Sequence, residues 1–246
     1  MKNYCFLMKR LLLVVLFVLL SHCATPERKP VKDIPSDITP EELPSEFKPE
    51  EFESRDVIAS WYGEPFHGKM TASGRKYDMF DMTCAHKTLP FGTQLKVSNV
   101  DNGKAVDVIV NDRGPFVRGR DIDLSYGAAK EIGLVGKGVG KVRISYVGRD
   151  ESYRKKVRYN PRLYAGPFTI QVGAFTVHNN AVKMVMSLEH QYPDVYTRIA
   201  KVRGKKFYRV RLGRFPQRKD AVRVAERLAY EGYDVLVTGT KDNYSY

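Results

Sequence analysis

Apolar residues follow three rhythms along this chain. The first is one unbroken block, LLLVVLFVLL, at residues 11–20. The second begins after residue 56. VIASWYG, TQLKVSNV, AVDVIVND and KVRISYVG are short, rich in β-branched and aromatic residues, and bounded by Gly, Asn or Asp. Such runs predict strands. Asp-Asn-Gly-Lys at 101–104 stands between two of them and predicts a hairpin turn. Ser125 before YGAAKEI predicts a capped helix that stops at Gly133. Several short strands with one helix predict a small β-barrel over residues 55–148. Basic residues with Asn-Pro and Gly-Pro pairs predict a linker over 149–167. The third rhythm starts at Asn180, read as a helix cap. Ala181, Met184, Val185 and Leu188 follow the i, i+3, i+4, i+7 spacing of a helix face. Ala221, Val224, Ala225 and Leu228 repeat it. FTIQVGAF, VYTRIAKV, KFYRVRLG and YDVLVTG supply strands around these helices. The order β-α-β-β-α-β over 168–240 predicts an α+β, ferredoxin-like unit. The fold class is therefore two domains, an all-β barrel and then an α+β module.

Charge divides the chain differently. Residues 24–53 hold nine acidic and four basic side chains and six prolines, whereas residues 54–246 hold 34 basic and 19 acidic ones. The first stretch has too little apolar surface to offset its ordering entropy, which predicts a solvated, extended tether over 23–54. The basic remainder calls for an anionic partner. The apolar block is too short for a bilayer, which needs ~20 residues. With Lys2, Lys9 and Arg10 before it, it predicts a signal peptide over 1–22. Leu20-Ser21-His22-Cys23 resembles a lipoprotein signal, which implies a lipid on Cys23 and a membrane anchor. Ala24 in place of Asp favours the outer membrane. Three cysteines give no disulfide framework, and no cofactor or metal is called for.

Asn111-Asp112-Arg113-Gly114-Pro115-Phe116 ends an apolar strand in a sharp polar corner. An Asp there either hydrogen-bonds its own turn or presents a carboxyl at the barrel rim, where partial burial raises its pKa. This motif, with SWYG, TASG, AHKTLPFGT and IDLS, resembles the rare lipoprotein A (RlpA) family of septal lytic transglycosylases, which have a double-psi β-barrel. The resemblance implies cleavage between N-acetylmuramic acid and N-acetylglucosamine in peptidoglycan, leaving a 1,6-anhydro end. One group can then serve as acid and afterwards as base, because the sugar's own C6 hydroxyl replaces water. The resemblance points to Asp112 for that role, with His86 and Asp123 beside it. It points to Asp78, Arg113, Trp61 and Tyr62 for holding glycan, although core packing is an equal reading of the two aromatics. Active members usually have Glu directly after TASG, where this chain has Arg75. A guanidinium cannot act as base, so the alternative is a non-catalytic glycan-binding protein. Cys84 beside His86 invites a thiol nucleophile, for which this chemistry has no use.

The later unit resembles the SPOR domain in FTIQVGAF, NNA and FYRVRLGRF, which implies binding of septal glycan stripped of its stem peptides. Phe207, Arg209 and Arg211 alternate onto one strand face. Gln171, Phe207 and Arg209 are the binding set by family match. An open sheet with aromatics and Arg also suits RNA, but the secretory leader and the lack of paired aromatics argue against a nucleic-acid partner. The expected place is the envelope, facing the periplasm at the septum.

Overall fold

A computed structural model describes residues 47–160 and 166–241. The signal peptide, Cys23 and most of the tether lie outside the described residues. Six strands close a barrel: β1 (Arg55–Tyr62), β2 (Thr83–His86), β3 (Thr93–Asn99), β4 (Ala105–Asp112), β5 (Ile122–Ser125) and β6 (Val139–Arg149). Their order around the barrel is β1-β5-β2-β4-β3-β6. The pairs β1–β5 and β2–β4 run parallel and the others antiparallel. Both parallel pairs join strands distant in the chain, so the two halves interlock. This is the double-psi arrangement. Alternation is clearest in β3, where Leu95 and Val97 are buried and Lys96 between them is exposed.

The hairpin at 101–104 joins β3 to β4, and Gly103 supplies the positive φ of +73° that the tight turn requires. Helix α1 (Tyr126–Glu131) follows β5 directly. Ser125 caps it, its hydroxyl accepting from Ala128 N at 3.1 Å. The four-residue strands β2 and β5 were not predicted as separate runs. TCAH and IDLS are too short to show a period, yet they carry the centre of the barrel.

The end of the expected tether is structured. Phe47 and Phe52 flank a 3-10 turn at Pro49–Glu51 and both pack against Tyr146 of β6, at 5.7 and 6.3 Å between ring centroids. The expected linker is also built in. A 3-10 turn at Glu151–Tyr153 buries Tyr153, and β7 (Arg158–Tyr159) adds an edge strand to the second sheet. Basic composition hid one buried aromatic and a two-residue pairing.

The second sheet contains β7, β8 (Phe168–Phe175), β9 (Val195–Val202), β10 (Lys205–Phe215) and β11 (Leu236–Gly239), in the order β7-β11-β8-β10-β9. Helices α2 (His178–Glu189) and α3 (Arg218–Tyr230) bury the predicted apolar stripes. Helix α2 starts two residues before Asn180. Its N-cap is Val177, and no side chain caps it.

The two modules touch through a dense seam. Phe91 N donates to Glu231 O at 2.9 Å and Lys155 N to Ala229 O at 2.9 Å. Arg149 Nη2 donates to Tyr230 O. Gly232 has φ +98°, and a Cβ there would stand 2.9 Å from Phe91 Cβ. Glycine is needed at that position on both counts.

Candidate active site and glycan-binding face

The barrel register sets two carboxylates either side of one small residue. Ala85 on β2 pairs with Asp112 on β4 and with Asp123 on β5. Two strand spacings separate the two Asp backbones, roughly 10 Å. Ala85, itself buried, puts only a methyl group between them. Ser60 on β1 pairs with Asp123 and donates its hydroxyl to Asp123 Oδ1. Arg120 Nη2 lies 3.8 Å from Asp123 Oδ2.

Asp112 ends β4 at the barrel rim. Its Oδ1 accepts from Ala72 N and from Arg113 N, both at 2.8 Å. Burial raises its pKa, opposed by those two N–H bonds and by the charges of Arg113 and Lys183. Burial wins because it penalises the charged form. The group is a carboxylic acid of weakened strength, suited to holding and then giving a proton. Ala72 belongs to a hairpin closed by Tyr77 N to Lys69 O and Thr71 N to Arg75 O, both 2.8 Å.

Arg75, at the tip of that hairpin, does not act on Asp112. Its guanidinium lies 3.6 Å above the Tyr153 ring, and Nη2 donates to Ser152 Oγ at 2.7 Å. The cation that replaces an acid here pins the hairpin to the turn after β6. Arg75 is not among the charges that shift the rim acid. Arg113 and Lys183 are the cations that act on it.

His86 is buried. Its Nδ1 accepts from Thr88 N at 3.2 Å and Leu89 N at 3.1 Å. Burial, then the charges of Arg113, Arg55 and Lys87, lower its pKa to about 3. The ring is neutral near pH 7, with Nδ1 an acceptor and the proton on Nε2. Among the described residues no hydrogen bond joins it to Asp112.

Tyr62 stacks on Tyr77 with centroids 4.4 Å apart, and Tyr77 Oη donates to Tyr62 O at 2.6 Å. Burial raises the Tyr62 pKa, as do the nearby charges of Asp112 and Asp123. Burial likewise pushes Tyr77 up to about 12. Trp61 packs on Tyr126 at 5.7 Å and against the core. Neither ring is an open platform for a sugar. Phe66 and Phe80 are the exposed aromatics beside them, 41% and 62% accessible, and the sequence reading passed over both. Asp78 Oδ1 accepts from Phe80 N at 2.9 Å and lies 3.7 Å from His67 Nδ1, so it shapes the turn that carries Phe80. Cys84 is wholly buried, and desolvation raises its pKa, which leaves an inert thiol.

The expectation that Arg113 holds glycan is corrected. Its guanidinium is buried in the seam, 3.7 Å from the Phe91 ring centroid. Nε donates to Tyr233 Oη at 2.7 Å and Nη1 to Leu89 O at 2.8 Å. One residue thus places its backbone on the rim acid and its side chain on the second module.

On the second sheet, the β10 residues Phe207, Arg209 and Arg211 pair with Ala200, Arg198 and Tyr196 of β9, and Arg211 pairs with Gln171 of β8. The predicted set, Gln171, Phe207 and Arg209, lies on one face. Arg198 and Tyr196 join it from a strand the sequence reading did not mine for function. Arg211 is not open: it is 1% accessible, and its Nη1 donates to Gly239 O at 3.2 Å and Thr240 O at 3.3 Å. Arg198 Nη1 also donates to Thr240 O, at 2.8 Å.

A crossed six-strand barrel with a rim acid, followed by a five-stranded sheet module, defines a class of two-module double-psi barrel proteins. Residues 54–144 match the family model described as lytic transglycolase, and residues 164–238 match the SPOR domain. In both modules the chain is similar to the RlpA family. Proteins named endolytic peptidoglycan transglycosylase RlpA are among its relatives. That of Campylobacter jejuni is 45% identical over 138 residues, 50% of this chain and 50% of that one. That of Vibrio cholerae is 52% identical over 114 residues, 46% of this chain and 43% of its own. That of Pasteurella multocida is 34% identical over 200 residues, 78% of this chain and 65% of its own. The chain spans about half the length of the first two relatives.

Proposed function

We propose that this chain is an endolytic lytic transglycosylase of peptidoglycan. The observation that carries the reading is Asp112, a buried rim carboxyl whose pKa is raised and which stands across Ala85 from a second carboxylate, Asp123. Protonated Asp112 gives its hydrogen to the oxygen bridging N-acetylmuramic acid and N-acetylglucosamine, and the C1–O bond breaks. The resulting carboxylate takes the proton of the muramyl C6 hydroxyl as that oxygen bonds C1. The product is a 1,6-anhydro end, no water enters, and Asp112 is again neutral. Asp123 accepts sugar hydroxyls on the far side of Ala85, and neutral His86 offers Nε2–H at the end of the same strand. Gln171, Phe207 and Arg209 hold glycan without stem peptides on the second sheet. The Leu20-Ser21-His22-Cys23 segment supports a lipid anchor, in the outer membrane and facing the periplasm at the septum.

The test is incubation of the purified protein with peptide-free glycan strands and analysis for anhydro-ended fragments. Wild type should produce them. Asp112→Asn should slow production by about 10²–10⁴, the usual worth of a general acid, while strands remain bound. Binding without any product from wild type would establish the non-catalytic reading, which Arg75 motivates. Arg75→Glu is the companion: since Arg75 is engaged on Tyr153, its replacement should loosen the 69–77 hairpin rather than create activity.

A further inference from the structure

The barrel does not bound the space beside Asp112 alone. One face of α2, from the second module, reaches barrel atoms. Lys183 Nζ stands 5.5 Å from the Phe66 ring centroid. The His190 ring lies 6.5 Å from Phe116, and Gln191 Nε2 donates to Thr88 O at 3.3 Å. Lys183 and Ser187 fall on one stripe of α2, and His190 and Gln191 follow directly after its last residue, Glu189. Ser187, in the middle, contacts Tyr233 Oη at 3.4 Å, and that hydroxyl receives the Arg113 bond. The stripe is therefore fixed against the rim through the residue that follows Asp112.

A second cation converges on the same ring. Lys69 Nζ, from the barrel hairpin, is 5.7 Å from the Phe66 centroid. Among the described residues neither lysine is in an ion pair. Two ammonium groups around one exposed ring make this part of the surface positive, which favours a bound anion. Through Ser187, Tyr233 and Arg113 the same helix face is held to the corner that carries Asp112, and the Lys183 charge is among those that act on that carboxyl.

The glycan supplies one anion of the right kind. Each muramyl residue carries a lactyl group. Its acid is locked as an amide while a stem peptide is attached, and becomes a free carboxylate once the peptide is removed. We propose that Lys183 binds the lactyl carboxylate of the muramyl residue seated beside Asp112, making the SPOR module a supplier of a specificity-determining side chain to the barrel site. This rests on the glycan-cleaving reading and adds the group by which peptide-free strands are selected there.

The chain has one tryptophan, Trp61, beside Tyr62 in β1, so its fluorescence reports on the barrel and not on the second sheet. Peptide-free glycan oligosaccharides would be titrated against the same oligosaccharides with lactyl acids converted to methylamides. Wild type should bind the free acids about threefold to fivefold tighter, the range of a partly exposed ion pair. Lys183→Gln should lose that preference with methylamide binding unchanged, and Lys183→Arg should keep it. A Lys183→Gln protein that still prefers free acids, or a wild type that never does, overturns the proposal. Anhydro products are measured in the same samples. Their absence from wild type counts against cleavage alone, because the fluorescence ratio is read without turnover.

Discussion

Replacing Arg113 by Met should separate the two roles of the rim corner. The change keeps an unbranched side chain against Phe91 and removes the guanidinium. Two strong bonds are lost, to Tyr233 Oη and Leu89 O, each worth ~1.5–3 kcal/mol for a charged donor. The contact with Phe91 at 3.7 Å adds up to ~2 kcal/mol when desolvated. Against this gross loss of about 5–8 kcal/mol stands the relief of desolvating a buried cation, several kcal/mol in real proteins. The net should be a destabilisation of about 2–4 kcal/mol, which for a folded part of this size lowers the melting temperature by roughly 5–12 °C. Calorimetric unfolding of wild type, Arg113→Met, Tyr233→Phe and the double variant closes the cycle. A coupling of about 1–2 kcal/mol between the two sites is expected for directly bonded partners. A melting shift under ~2 °C, or strictly additive variants, would refute the view that Arg113 ties the modules together.

Further outcomes follow from the same geometry. Asp112 has a raised pKa, so its contribution to stability is fully present below the ordinary value of 3.8 and lost as pH rises through the folded value. Asp112→Asn should therefore match wild type in chemical denaturation below pH 3.8 and exceed it at pH 7; a less stable variant at pH 7 contradicts the assignment. His86 has a depressed pKa, so the stability it contributes above pH 6.5 is lost as pH falls toward about 3. Denaturation midpoints of His86→Gln should decline less over that window than those of wild type, and parallel declines would exclude a neutral buried ring. Gly232→Ala meets both a left-handed backbone and Phe91 Cβ. It should cost about 1–3 kcal/mol, measured as a loss of melting temperature, and an unchanged melt would show that the seam yields.

Much of this architecture could be read from side-chain period alone. The hairpin at 101–104, the Ser125 cap and both apolar stripes of the second module are local signals, and locally encoded structure was legible. The pairing of Ala85 with two distant carboxylates was not, because register between β2, β4 and β5 is a property of the closed barrel. The corner holding Asp112 was recognisable by motif, but Arg113 beside it was misread. A surface role fits any Arg after a turn, and only the approach of Phe91 and Tyr233 from elsewhere makes it buried. The engagement of Arg75 was not legible for the same reason: it depends on where Tyr153 lies, and that residue sat in a stretch whose charge concealed its packing. Lys183 carried no signal, since a lysine on the polar side of a helix is ordinary until a second module stands opposite.

The carbonyl of Thr240 takes hydrogen bonds from both Arg198 and Arg211, which brings the segment just after β11 onto the sheet face proposed for sugar binding. A fluorescent reporter inserted beside Thr240 would stand at that face and compete with ligand for it. Imaging of where the protein gathers in a cell is best done with the reporter inserted elsewhere, at the exposed turn around Gly204 for example.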